Sequence, residues 1–134
     1  MFKKNSDVEF VLVGWDVSNY SLPFSHLNTG FLSLDELQDL YSQVDVDLVI
    51  SSTNLSLLPL ELMACKCPVV SNLGPNVERL LEDGINASLV DADVGSLATA
   101  LDRILNDQKY RDQLMESASE FCEKTSGQMK LIGL

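Results

Sequence analysis

The 134-residue sequence contains no run of about 18 apolar residues, so it offers no membrane-spanning helix. Its opening, Met1-Phe-Lys-Lys-Asn5, lacks the apolar stretch of a secretory signal, and the cytoplasm is the expected location. Cations are scarce: nine Lys and Arg stand against 20 Asp and Glu, a formal net charge of −11. With no basic cluster to neutralise phosphates, nucleic acid is not an expected partner, and simple adhesion to anionic lipid is disfavoured. The single histidine, His26, lies in Pro-Phe-Ser-His-Leu and reads as a surface or half-buried polar residue before it reads as a catalytic base. Three cysteines, Cys65, Cys67 and Cys122, are an odd number without a signal and read as free thiols. Cys65-Lys66-Cys67 has no second pair and no nearby His, so no metal site is expected; the plainer reading is two small residues packed at a helix-to-strand junction. Asn19-Tyr-Ser, Asn54-Leu-Ser and Asn86-Ala-Ser fit the N-glycosylation pattern, which carries no meaning without secretion.

What is present is an ordinary globular mixture, 46% apolar and 22% charged, at a length that suits one domain with a real core. Its pattern alternates strand and helix. Val8–Val13 (VEFVLV) is a nearly continuous apolar run ending at Gly14, as in a strand buried on both faces. Asn28-Thr-Gly-Phe-Leu32 is a short second strand. Ser33 and Glu36 form a capping box ahead of Leu34, Leu37, Leu40, Tyr41 and Val44 at helical spacing. Val46–Ile50 is a buried strand followed by polar Ser51-Ser-Thr-Asn54, and a helix starts near Pro59 and runs to about Cys65. Pro68–Ser71 is a third clear strand. Gly74-Pro75 opens a helix that ends before Gly84, and Ala87–Val90 is a last short strand. Helices over Val94–Leu105 and from Lys109 to about Glu123 complete the pattern; the tail after Lys124 has no clear assignment. Such alternation implies right-handed β-α-β crossovers and a doubly wound, mainly parallel sheet, an α/β fold.

Ligands of open parallel sheets bind beyond the carboxyl ends of the strands. Two segments qualify by position: Gly14-Trp15-Asp16, and Ser51–Glu61. In the second, a helix start with free amides faces the same crevice and suits a phosphate. Glu61 offers several lone pairs and no donor, which suits vicinal sugar hydroxyls. The competing reading is structural, since a Ser-rich loop is usually a cap and turn, and a Glu near a helix start is usually a surface residue.

Ser51-Ser-Thr-Asn-Leu-Ser-Leu-Leu-Pro-Leu-Glu61, continuing through Leu62-Met-Ala-Cys-Lys-Cys-Pro-Val-Val70, resembles the signature of the group 1 (family 4) glycosyltransferases. Leu32–Tyr41, Val44–Asp47, Asp83-Gly-Ile-Asn86, Leu89–Ala92 and Leu97–Asp107 are similar to further family segments in the same order, so the resemblance covers roughly residues 7 to 122. It implies a GT-B enzyme of two Rossmann-like domains, of which this chain is the C-terminal, donor-binding one. The implied reaction is sugar transfer from a nucleoside diphosphate sugar to a glycan or lipid-linked acceptor, with retention at the anomeric carbon and no metal or other cofactor. The donor is expected to be dTDP- or UDP-linked. The family carries two glutamates separated by seven residues. The second matches Glu61 and implies contact with the nucleotide ribose; the first falls at Thr53, which implies a contact to the donor sugar through a hydroxyl instead. Between them Asn54, Leu55, Ser56, Leu57, Leu58 and Pro59 are implied to present amides to the sugar and diphosphate.

The departures from the family pattern carry expectations of their own. Thr53 in place of Glu suits a less hydroxylated donor, and the segment is similar to bacterial rhamnosyltransferases that use dTDP-rhamnose. Lys66 replaces a glycine between helix and strand, so that turn is expected to be built differently. The family's first strand, with its Arg and Lys-Gly, has no counterpart. Its absence predicts unpaired strand edges or direct pairing of its neighbours, and an isolated chain that is inactive or nearly so. The acceptor domain has no counterpart either, so the chain reads as a fragment or as one that works with a partner, in the full enzyme at the inner face of a membrane. A homodimer through exposed edges is a further expectation. The alternative function is a non-catalytic nucleotide-binding or assembly module. A response-regulator-like domain is disfavoured for want of paired acidic residues and a late Lys. No catalytic residue is assigned.

Overall fold

The computed structural model describes residues 7–53 and 57–131, with side chains as far as Thr125. The chain divides between Asp39 and Leu40 into two compact units, each with its own parallel sheet.

In the first unit, β1 (Phe10–Val13) pairs in parallel with β2 (His26–Gly30). Phe10 lies opposite His26, and the register slips between Leu12 and Val13 so that Val13 meets Gly30. The slip is closed by Gly14, whose amide bonds the Gly30 carbonyl at 2.8 Å. Both glycines have positive φ, +97° and +67°, which a side chain would resist. Parallel strands need a crossover of about a dozen residues or more, usually with a helix; here residues 14–25 cross by turns alone. The crossover is braced by Phe24, whose ring lies 4.8 Å from that of Phe10. β2 begins at His26, two residues earlier than the apolar pattern suggests, and stops at Gly30. Ser33 then caps α1 (Leu34–Tyr41) as its spacing implies: the Glu36 amide bonds Ser33 Oγ at 3.2 Å, and Ser33 Oγ bonds Glu36 Oε1 at 3.1 Å.

The second unit is built on β3 (Asp47–Val49), β4 (Val69–Asn72) and β5 (Ser88–Val90), in that order and all parallel. Register places Leu48 opposite Val70 and Ser71 opposite Leu89. The flanking helices are α2 (Leu58–Ala64), α3 (Val94–Asn106) and α4 (Gln108–Leu131). β4 is central and buried along its whole length, because α2 and α3 both pack on it. Val70 joins Ala100, Leu101, Ile104 and Leu114 in one apolar cluster, while Val69 and Ser71 point the other way and are equally dry. Asp93 caps α3 by accepting the Ser96 amide at 2.8 Å. Asp107 caps α4, which continues well beyond Lys124.

Three sequence expectations need correction or completion. The segment opened by Gly74-Pro75 does not become a regular helix; it makes hydrogen-bonded turns, Val77 and Glu78 amides to the Gly74 carbonyl and Leu80 and Leu81 amides to that of Val77. At the end of the segment the Asn86 side chain accepts from the Glu82 amide at 2.7 Å and donates to the Leu80 carbonyl at 3.1 Å. Lys66, for its part, does not force a different turn. It adopts φ +59°, the left-handed conformation a glycine would take. Its amide bonds the Met63 carbonyl at 3.0 Å and that of Cys67 bonds Leu62 at 2.9 Å, a Schellman ending to α2. Finally, of the two outcomes expected at the sheet, unpaired edges occur. Among the described strands β1 pairs only with β2 and β3 only with β4, and Leu48 and Ile50 are left 41% and 52% exposed.

Candidate functional site

The Ser51–Glu61 segment leaves the carboxyl end of β3 beside the carboxyl end of β4, where a parallel sheet opens its ligand crevice. The chain goes from buried to exposed within two residues: Ser51 is buried, whereas Ser52 and Thr53 are exposed. Asn54, Leu55 and Ser56 lie outside the described residues. Leu57 is exposed and helical in φ and ψ, with no side-chain cap; Leu58 is half-buried and Pro59 buried. Glu61 stands exposed in the first turn of α2. Thr53 and Glu61 thus flank the loop from opposite ends, both with side chains in solvent. The start of α2 offers less than its sequence suggests. Pro59 has no amide hydrogen, and the amides of Leu60 and Glu61 already bond the Leu57 carbonyl at 3.0 and 3.2 Å.

Behind the loop lies a set of polar side chains that the sequence reading did not single out. Asn72, at the end of β4, accepts the Ser51 amide at 2.8 Å and donates to the Ser51 carbonyl at 2.8 Å and the Leu73 carbonyl at 3.1 Å. Asn76 donates to Ser51 Oγ at 3.0 Å. Ser71 Oγ donates to the Val49 carbonyl at 2.6 Å. The only hint in the sequence is an Asn directly after an apolar strand, a position where a strand usually yields to a loop.

Near the other end of β3, Asp47 carries a carboxyl raised above its ordinary range, chiefly by burial and against a lowering contact from the Leu48 amide. Burial likewise raises Tyr41, with the charges of Glu61 and Asp47 adding to the effect. Cys67 is pushed up to about 12, by burial first and then by Asp47 and its neighbours. Cys65 and Cys122 are half-buried and free. An open groove of about 630 Å³ lies between β5 and α3, away from the Ser51–Glu61 loop. Its lining includes Asp83, Asp91 and Asp93, which repel a diphosphate, and Arg103 there is stacked 3.6 Å over the Tyr110 ring. That acidic lining makes the groove a poor site for an anion.

The other segment singled out by position, Gly14-Trp15-Asp16, is shaped by local bonds. Asp16 accepts the Ser18 amide at 2.9 Å and the Asn28 side chain at 3.0 Å, and the first of these chiefly lowers its pKa. Trp15 is 76% exposed. His26 sits in β2 with Nδ1 3.0 Å from the Phe24 carbonyl, as a structural side chain would. No helix among the described residues is long and apolar enough to cross a membrane.

Comparison with known proteins bears on the family and the fold. The chain is 32% identical over 122 residues to the O-antigen biosynthesis protein RfbC of Myxococcus xanthus, covering 89% of this chain and 10% of that protein. Its fold is that of glycosyltransferases of known structure. Anabaena HepE, solved in complex with UDP-glucose, superposes with a TM-score of 0.69 at 19% identity, over 85% of this chain and 35% of HepE. Sucrose-phosphate synthase from Thermosynechococcus elongatus gives 0.72 at 23% identity, over 85% and 33%. The C-terminal domain of a group 1 glycosyl transferase from Francisella tularensis gives 0.62 at 23%, over 75% and 52%. The chain thus spans a tenth of the curated relative and about a third of the first two structures. Residues 1–107 match the family described as "Glycosyl transferases group 1", and over that length, loop and Glu61 included, the chain belongs to that family.

Proposed function

We propose that this chain is a single nucleotide-sugar-binding domain, from the donor half of a GT-B glycosyltransferase. In the whole protein it holds a nucleoside diphosphate sugar for transfer to a glycan or lipid-linked acceptor carried by a further domain. The observation that supports this most is the placement of Glu61 and Thr53 in solvent at the two ends of one loop, beyond the carboxyl ends of β3 and β4. A fixed carboxylate accepts from two ribose hydroxyls at once, and the Thr53 hydroxyl at the opposite end suits a donor sugar with few hydroxyls. Asn54, Leu55, Ser56, Leu57, Leu58 and Pro59 join the site on sequence grounds. The UDP-glucose and UDP complexes of HepE support a uridine nucleotide, the Thr53 segment's similarity to rhamnosyltransferases supports a dTDP-linked donor as the alternative, and the O-antigen role of RfbC supports a cell-surface glycan as the product. The enzyme works on the cytoplasmic side of the membrane, and two chains associate through exposed strand edges.

Titration calorimetry with UDP, dTDP and GDP tests the reading. One nucleotide should bind, and Glu61→Ala should weaken it about 10- to 100-fold, the loss of hydrogen bonds to a charged group. A chain that binds none of the three, or a Glu61→Ala variant that binds as well as the parent, would overturn it.

A further inference from the structure

We propose that Asn72 and Asn76 are positioning residues: they hold Ser51, and through it the turn bearing Ser52 and Thr53, at the place where the donor sugar is read. The proposal rests on the donor-site reading for its purpose, and on the following geometry for its substance. The β3–β4 ladder ends with Val49 opposite Ser71. One residue further along each strand lie Ile50 and Asn72, and the Asn72 side chain, an amide like the backbone itself, turns toward β3. It bonds the Ser51 amide and carbonyl at 2.8 Å each, which is the pair of contacts a further strand residue would make. A side chain thus adds one rung to the ladder where the backbone has stopped.

Asn76 completes the arrangement by donating to Ser51 Oγ. All three polar groups of Ser51 are thereby held from outside its own strand, and the two asparagines sit 21 and 25 residues away in sequence. Room for Asn76 comes from Gly74: a Cβ there would stand 3.0 Å from Asn76 Oδ1. Fastening of this kind is unneeded merely to end a strand. Loops normally leave a sheet with their polar groups in water. Here the chain is gripped at its last buried residue, and the next two side chains are exposed. A grip at that point fixes where Thr53 stands relative to Glu61, and small misplacements of a binding group are costly.

The test uses Asn76→Ala, which removes a half-buried side chain from a turn, with Gly74→Ala and Ser51→Ala as companions. Amide hydrogen exchange is followed by NMR at Ser51, Ser52 and Thr53. Affinity for UDP-glucose is measured against affinity for UDP. Asn76→Ala should speed exchange at these amides about fivefold or more, the worth of one hydrogen bond, with β4 and α3 unchanged. The UDP-glucose to UDP affinity ratio should fall by a similar factor, because the perturbed residues face the sugar. Ser51→Ala should match it, and the double variant should add little, since both delete one bond. Unchanged exchange in Asn76→Ala overturns the proposal. So does an unchanged affinity ratio, since a merely structural role would weaken both ligands equally. If the parent chain binds neither UDP nor UDP-glucose, the donor reading and the purpose given to the grip fall together, and the exchange result still reports whether the grip exists.

Discussion

Lys66→Gly should stabilise the protein. Lys66 holds φ +59° at the end of α2, where a Cβ crowds the following carbonyl. Left-handed backbone costs an L-residue about 1–2 kcal/mol. Glycine removes that cost and gives back about 0.5–1 kcal/mol through its freer unfolded chain. The net gain is about 0.5–1 kcal/mol. The Lys66 side chain is exposed, so little packing is lost with it. For a protein of this size, with a urea slope of about 1–3 kcal/mol per molar, the midpoint should rise by about 0.2–1 M. Lys66→Ala is the informative control, because it removes the same side chain and keeps the Cβ. Equal midpoints for Gly and Ala would refute the reasoning, and so would a glycine variant less stable than the parent. Either result would mean that the two Schellman bonds, Lys66 to Met63 and Cys67 to Leu62, do not hold the backbone where the structure places it.

Two further outcomes follow from burial. Asp47 has a raised carboxyl pKa, so between its unfolded value of 3.8 and its folded value the native state binds more protons than the unfolded one, and stability falls as pH rises through that window. Asp47→Asn should therefore stabilise the protein at pH 7 and lose that advantage near pH 3, as urea unfolding at the two pH values will show; an equal effect at both would contradict it. Cys67, with its thiol near 12, holds about one thiolate in 10⁴ at pH 8, so a thiol-reactive disulfide reagent should label Cys65 and Cys122 first and Cys67 only on unfolding. Rapid labelling of all three in the folded protein would count against the packing described.

The alternation of elements was legible because apolar runs and helical spacing are local signals. VDLVI and PVVS read directly as β3 and the start of β4, and Ser33 with Glu36 marked the start of α1. The misreadings share a cause: contacts that apolar spacing does not register. Nothing near Gly74-Pro75 announces that Asn86 will take the Leu80 carbonyl and the Glu82 amide. Lys66 looks ill suited to a left-handed turn, yet Leu62 and Cys67 on either side are fully buried and hold it there. Of the candidate site, Glu61 and Thr53 were proposed through the resemblance to the glycosyltransferase signature. Asn72 was not, since its role exists only once β3 lies alongside β4.

The two margins of the three-stranded sheet are finished differently. On β5 the outward amide of Leu89 is taken by the Asp83 carboxylate at 2.9 Å, and the outward carbonyl of Ala87 by the Gly84 amide at 2.9 Å. On β3 the amide of Leu48 meets the carboxylate of Asp47, the residue before it, a local contact that a passing strand can displace. Growth of this sheet past β5 is therefore blocked. Two chains meeting through β3 would each use up the other's one available margin and stop at a pair. A fibril through this sheet needs a second open margin on every copy, and the turn at Asp83–Asn86 withholds it.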